Sequence, residues 1–251
     1  MRYFAELAYK GTAYFGWQRQ PNGLSVQEVI ENALGTILRS PIEITGCGRT
    51  DTGVHASQYF IHFDCEVDLP EGLLTRLNKF LPKDIAIYRI FEVAPDANAR
   101  YDAYFRRYAY YVGNRKTPFY NDTSYHLPFF EALNLDYLQM TAALLLEYED
   151  FFPFCKTHTD VKSMKCQLYT CFWQWNPDSN QLVFHVAANR FLRGMVRLMV
   201  GACLNVALGK QSIEEVKQAL DNQERLSKSW SVPAEGLFLE EIRYQYVERM
   251  D

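Results

Sequence analysis

A chain of 251 residues, 48% hydrophobic and 15% aromatic, has the composition of a globular protein with a sizeable core and excludes a disordered one. That length suits one large domain or two lobes of about 100 to 150 residues each. Its formal net charge of −4 excludes a protein that coats nucleic acid indiscriminately, since such proteins are strongly basic.

Charge is unevenly spread. Residues 1–120 carry 14 Lys and Arg against 13 Asp and Glu, net +1, and residues 121–251 carry 12 against 17, net −5. Within this background Ala103 to Asn121 holds Arg106, Arg107, Arg115 and Lys116 and no acid, and Gln181 to Ile213 holds Arg190, Arg193, Arg197 and Lys210 and no acid. Two such stretches can build a phosphate-tracking groove on an acidic body, and they read equally well as solvated surface. The six cysteines form no C-x-x-C pair and the histidines no H-E-x-x-H, so free thiols and no metal site are expected. The N-terminus lacks the apolar core of a signal peptide, and the longest apolar run, Leu198 to Leu208, is interrupted by Asn205 and is too short to cross a bilayer. A cytoplasmic protein without a membrane segment is expected.

In chain order, Arg2 to Tyr9 alternates as a strand and runs into Tyr9-Lys10-Gly11-Thr12-Ala13-Tyr14-Phe15-Gly16-Trp17-Gln18-Arg19-Gln20. In this segment Tyr14 and Trp17 are candidates for RNA contact, although the size of Trp17 favours packing. Ser25 with Glu28 three residues on spells a capping box, and the stripe Val26, Val29, Ile30, Ala33, Leu34, Ile37, Leu38 predicts the helix behind it. A strand over Ile42 to Gly46, a loop, and an alternating strand over Gln58 to Phe63 follow. A helix near Glu71 to Phe80 and a strand near Ile85 to Phe91 complete a β-α-β-β-α-β order, which predicts a split βαβ, ferredoxin-like lobe over residues 1–103.

The loop between the second and third strands reads Gly48-Arg49-Thr50-Asp51-Thr52-Gly53-Val54-His55-Ala56. Nowhere else does the chain concentrate a carboxylate, a guanidinium, two hydroxyls and two glycines so closely. Its glycines permit positive φ and close approach of a ligand, so Asp51 can sit at the tip of a rigid turn. On composition alone it is also an ordinary connection between strands.

Residues 104–251 repeat the order loosely and are expected to form the second lobe. Arg106-Arg107-Tyr108-Ala109-Tyr110 reads as a strand with Tyr108 and Tyr110 on one face and Arg107 on the other. A helix from about Leu135 to Leu146, strands near Lys165 to Trp175 and Leu182 to Ala188, and a turn over Asn176 to Asn180 follow. In Asn189-Arg190-Phe191-Leu192-Arg193-Gly194-Met195-Val196-Arg197 the spacing puts Arg190, Arg193 and Arg197 on one face of a helix. A helix near Ile213 to Asp221 and a last strand near Leu237 to Tyr246 close the chain. The whole is expected to be α+β, with two ferredoxin-like lobes forming a mostly antiparallel sheet, helices on one side, and an active-site cleft between the lobes.

Gly48 to His55 resembles the signature of the tRNA pseudouridine synthase A family, with Thr52 where that family usually has Ala. Four more stretches resemble the family in the same order. They are Tyr9 to Gln20, with Lys10 in place of the usual Asp; Arg106 to Tyr110, like its Arg-x-Tyr-x-Tyr strand; Phe191 to Arg197, like its Phe-Leu-x-x-Met-Val-Arg helix start; and Pro233 to Leu237, like its C-terminal motif. At Asp150 to Phe154 the family usually has Asp-Phe-x-Ser-Phe, and Pro153 replaces the Ser. The resemblance implies that Asp51 is a nucleophile, that Arg49 helps draw the target base from the RNA helix, and that Tyr108 stacks on it. Arg197 would be the cation beside the carboxylate, and Arg106, Arg107 and Arg193 would bind substrate. It further implies uridines 38 to 40 of the tRNA anticodon stem-loop as substrate, no cofactor, and a homodimer.

Making pseudouridine breaks the bond from ribose C1′ to N1, turns the uracil and rejoins it through C5. A carboxylate suits attack on either the sugar or the base, and a flipped-out uridine needs an aromatic wall and a basic rim. Two other readings use some of the same residues. An RNA-binding module would need exposed aromatics on a ferredoxin-like sheet but no Asp51 loop, and a glycoside hydrolase would need a second carboxylate, which the sequence around Asp51 does not supply between residues 44 and 63.

Overall fold

Arg2–Tyr9 forms strand β1, buried along nearly its whole length because both neighbours in its sheet are strands of similar reach. The computed structural model describes residues 1–156 and 163–247. β1 pairs antiparallel with β3 (His55–Asp64) and β4 (Ile85–Val93), and the short β2 (Ile44–Gly46) pairs antiparallel with β3. Tyr3, Ala5, Leu7 and Tyr9 share one face of β1 with period 2, and Phe4 and Glu6 the other. On the second face Phe4 packs against Phe60, Phe91 and Tyr244, with ring centroids 5.4 to 6.5 Å apart. The apolar alternation of the sequence thus becomes a strand that is core on both sides.

Two helices connect these strands. In α1 (Val26–Leu38) the apolar stripe buries Val26, Ile30, Ala33 and Leu34, Ser25 caps the start by accepting the Glu28 amide at 3.2 Å, and Arg39 ends it in the left-handed region. α2 (Leu73–Phe80) buries Leu73 and Leu77, and its Asn78 donates to the Ile87 carbonyl at 2.7 Å and accepts the Ile87 amide at 2.8 Å, closing the outer edge of β4.

The chain divides into two compact units, the first running to Tyr104 and resuming at Phe238, the second covering Phe105 to Leu237. The closing strand therefore returns to the first unit instead of staying with residues 104–251. The reason is pairing: β9 (Leu237–Arg243) lies parallel to β3, with His55 opposite Phe238 and Ala56 opposite Leu239. The order in the first unit is β4-β1-β3-β9.

In the second unit β5 (Phe105–Gly113) and β7 (Leu168–Asn176) flank β8 (Gln181–Ala188), all antiparallel, and β6 (Tyr125–His126) pairs parallel with β5. Three helices belong to it: α3 (Leu135–Leu145), α4 (Met195–Ala207) and α5 (Ile213–Asn222), the last opened by a full Ser212–Glu215 capping box. Every residue of α4 except Arg197 is buried. Gln139 of α3 closes the edge of β7 as Asn78 closes β4, bonding both the carbonyl and the amide of Trp173. Across the described residues the fold is mixed α and β, with nine strands paired mostly antiparallel and five α-helices.

Candidate active site

The loop joining β2 to β3 is short and is gripped at both ends. At its start the Tyr59 hydroxyl donates to the Gly48 carbonyl, and the Tyr59 ring packs on Trp17 at a tilt of 31° with centroids 4.1 Å apart. Thr50 is held twice: the Trp17 amide donates to its carbonyl at 3.2 Å, and its hydroxyl bonds the Tyr9 hydroxyl at 2.8 Å. Asp51 follows, half-buried, and its carbonyl accepts the Val54 amide at 3.1 Å to close a turn. Gly53 takes φ +80° at the third position of that turn, as a type II turn demands, while Thr52 occupies the second position, is exposed, and is free to be Thr or Ala.

Beyond the turn the loop is fixed again. His55 is fully buried, its Nδ1 accepts the Gly11 amide at 3.0 Å, and its ring stacks on Phe238 with centroids 4.5 Å apart. Gly11 is needed for closeness: a Cβ there would lie 2.0 Å from the Val54 carbonyl oxygen. Asp51 therefore sits between a clamp on Thr50 and a clamp on Val54 and His55, both built by residues 9–17. Arg49 is exposed at the loop surface.

That role for residues 9–17 settles two expectations. Tyr14 and Trp17 are buried packing residues, and the Tyr14 hydroxyl donates to Asp84 Oδ1 at 2.6 Å. Burial and that bond push the Tyr14 pKa well up. Lys10, which departs from the resembled motif, donates its backbone amide to the Asp84 carbonyl, so Asp84 ties this segment down by both its side chain and its main chain.

In the second unit Tyr108 is half-buried on β5 and meets Phe191 edge to face, with centroids 5.2 Å apart and planes at 88°. Tyr110 shares its face but is wholly buried, and its hydroxyl donates to the Pro233 carbonyl at 2.9 Å. Only the first of the two tyrosines can reach a ligand. Arg106 donates to the Asn189 carbonyl at 2.9 Å, which ties β5 to the segment carrying Phe191 and Arg193. Arg107 is half-buried and Arg193 exposed. Arg197 donates through Nε to the Val232 carbonyl at 2.6 Å, and this bond aims the one unburied side chain of α4.

The expected common helical face of Arg190, Arg193 and Arg197 does not form. Gly194 adopts φ +71° and caps α4, so the helix starts at Met195 and the first two arginines precede it. Pro153 lies in a buried 3₁₀ turn, Phe152–Phe154, where its fixed φ suits the first helical positions. All six cysteines are buried, and burial pushes the thiol of Cys166 up to about 11 and that of Cys203 up to about 12. Among the described residues no group of three His, Cys, Asp or Glu is placed to hold a metal, and no helix is long and apolar enough to cross a membrane. A cavity of about 130 Å³ in the second unit, lined by Arg115, Tyr120, Tyr125, His126 and Glu235 among others, includes none of the candidate residues.

A sequence profile of the family described as tRNA pseudouridine synthase matches residues 5–102 and 142–245. The chain belongs to this family. It is 44% identical over 246 residues to the tRNA pseudouridine synthase A of Porphyromonas gingivalis, covering 97% of each chain. It is 44% identical over 245 residues to that of Bacteroides thetaiotaomicron, covering 97% of this chain and 90% of the relative, and 35% identical over 239 residues to that of Clostridium acetobutylicum, covering 95% and 97%. As a member of a pseudouridine synthase family the protein is an isomerase. Both profile-matched segments contain elements described above: the first holds the whole Asp51 loop and its clamps, the second the Arg193 to Arg197 segment and β9. Gly11, His55 and Phe238 were not among the residues singled out from sequence. Gly11 and His55 lay inside the recognised motifs, but their contact links positions 44 residues apart.

Proposed function

We propose that the protein converts uridine to pseudouridine at positions 38 to 40 of the tRNA anticodon stem-loop, with Asp51 as nucleophile. The observation that carries this reading is the doubly clamped loop, which presents one half-buried carboxylate on a main chain fixed before and after it. Such preorganisation suits a group that must meet a reacting atom. Attack by the Asp51 carboxylate accompanies cleavage of the C1′–N1 bond. The uracil turns, C5 bonds to C1′, the bond between Asp51 and the nucleotide breaks to return the free carboxylate, the C5 proton leaves to solvent and N1 gains a proton, so product and substrate are isomers.

Tyr108 is proposed to stack on the flipped base, its ring already held at right angles by Phe191. Arg49 is proposed to help extract the base. Arg197 is proposed as the cation for the nucleophile, its guanidinium oriented by the Val232 carbonyl. Arg106, Arg107 and Arg193 are proposed to meet phosphates. The chemistry uses no cofactor. The β1-α1-β2-β3-α2-β4 order of the first unit supports a split βαβ lobe, and the second unit is proposed to be its looser counterpart. A cytoplasmic homodimer is proposed, since a net charge of −4 leaves each chain little basic surface for tRNA.

The test is incubation of the purified protein with unmodified tRNA transcripts and position-by-position mapping of pseudouridine. Product confined to positions 38 to 40 supports the reading; product elsewhere in the tRNA overturns the site, and no product overturns the activity.

A further inference from the structure

We propose that His55 is a positioning residue for the reaction, a neutral imidazole that holds the downstream end of the Asp51 loop through its Nδ1 lone pair. The proposal rests on the reading of Asp51 as nucleophile. Gly11 N–H can only donate, so at 3.0 Å the Nδ1 facing it is an acceptor and the ring proton sits on Nε2. An apolar ring of similar size would leave this buried amide without an acceptor, which is destabilising.

Three stretches of chain meet at this imidazole. The Gly11 amide binds it, the ring lies on Phe238, and the main chain of His55 pairs with Phe238 in the parallel β3–β9 bridge. The adjoining Val54 carbonyl fills the slot left by the missing Gly11 side chain. Hydrogen bond and slot thus fix the same two backbones, and neither shifts alone. From Val54 a single hydrogen bond closes the turn onto Asp51. Loss of the Nδ1 acceptor lets residues 52–55 move away from Gly11, and a displacement of about 1 Å at a reacting group costs on the order of 10²-fold in rate. The phosphate-binding candidates Arg106 and Arg193 are not on the Asp51 loop, so substrate affinity is expected to change little with this bond.

The geometry distinguishes three replacements. In His55→Asn the side-chain oxygen falls near the place of Nδ1 and can accept the Gly11 amide. In His55→Gln the extra methylene carries the oxygen past it. His55→Phe keeps a ring for Phe238 but offers no acceptor.

The experiment measures kcat and KM by tritium release from tRNA labelled at uridine C5, with a tRNA binding titration for each variant. His55→Asn is expected within about threefold of wild-type kcat, and His55→Gln and His55→Phe about 10- to 100-fold below it, with KM and binding within about threefold throughout. Wild-type kcat in His55→Phe, loss in His55→Asn equal to that in His55→Phe, or KM rising as kcat falls overturns the proposal. The wild-type enzyme with ¹⁵N-labelled histidine gives a second readout that needs no variant: His55 should show an unprotonated Nδ1 and a protonated Nε2, and a protonated Nδ1 overturns it. Asp51→Asn in the same assay keeps the two claims apart. If that variant still releases tritium the nucleophile reading fails, whereas a dead Asp51→Asn beside a fully active His55→Phe removes only the role of His55.

Discussion

Replacing Gly11 by Ala tests whether closeness at residues 9–17 positions the Asp51 loop. The added Cβ would lie 2.0 Å from the Val54 carbonyl oxygen and 2.7 Å from its carbon, against a practical minimum of 3.0 Å. Both neighbours are backbone, so relief requires residues 53–55 or 10–12 to move by about 1 Å. Overpacking of this kind costs about 1–3 kcal/mol in stability, and an equal displacement carried through the turn to Asp51 lowers turnover on the order of 10²-fold. Gly35→Ala is the control. It lies inside α1, where its Cβ would meet only the Ser40 carbonyl at 3.4 Å, and it should stabilise the fold by about 0.5–1 kcal/mol through reduced backbone entropy. The assay is tritium release beside a tRNA binding titration and a thermal melt. Gly11→Ala should melt lower, bind tRNA within about threefold of wild type and turn over slowly. Wild-type turnover in Gly11→Ala would refute the claim that this contact sets the loop.

The remaining predictions concern salt, pH and assembly. Arg193→Ala and Arg106→Ala should each reduce the log–log salt slope of tRNA binding by about 0.9, and Arg106→Ala, whose side chain is bonded to the Asn189 carbonyl, should also lower the melting temperature; unchanged slopes for both would take these arginines off the phosphates. His62 is buried and accepts the Ala99 amide at 3.1 Å, and burial, then the charge of Arg2, lowers its pKa. Its neutral form is therefore favoured in the fold, so its contribution is full above an unfolded value of about 6.5 and lost as pH falls through the lower folded value. Denaturant unfolding at pH 7.5 and 5.5 should show wild type losing more stability than His62→Asn, and equal losses would contradict the assignment. Sedimentation should show a dimer at assay concentration, and a fully active monomer would contradict the proposed assembly.

Most elements were legible because their periodicity is local. β1 was read with its observed bounds, and α1 and α3 to within a residue or so, since strand alternation and the helical stripe are written in neighbouring residues. What lay outside local pattern was less visible. β3 begins at His55, three residues before its apolar alternation at Gln58, because the early residues pair with β9 from the far end of the chain. The same long-range pairing returns Phe238 and its followers to the first unit. The arginine stripe failed for a backbone reason, since one glycine with positive φ between Arg193 and Met195 overrode a spacing that fits a helix. Tyr108 and Tyr110 were correctly placed on one face, but only packing showed that Tyr110 is core while Tyr108 keeps exposed surface. In the candidate site Asp51 and Arg49 stood out by chemistry, whereas Gly11 and His55 matter through a contact that a linear motif does not display.

The central claim, that Asp51 is the nucleophile and the loop exists to hold it, is tested most directly by Asp51→Asn. The substitution removes the charge and the attacking oxygen while nearly keeping the shape, and the clamps on Thr50 and His55 involve no atom of the Asp51 side chain. Tritium release from C5-labelled tRNA should fall below detection while tRNA binding stays within about threefold of wild type. Tritium release at the wild-type rate would contradict the account.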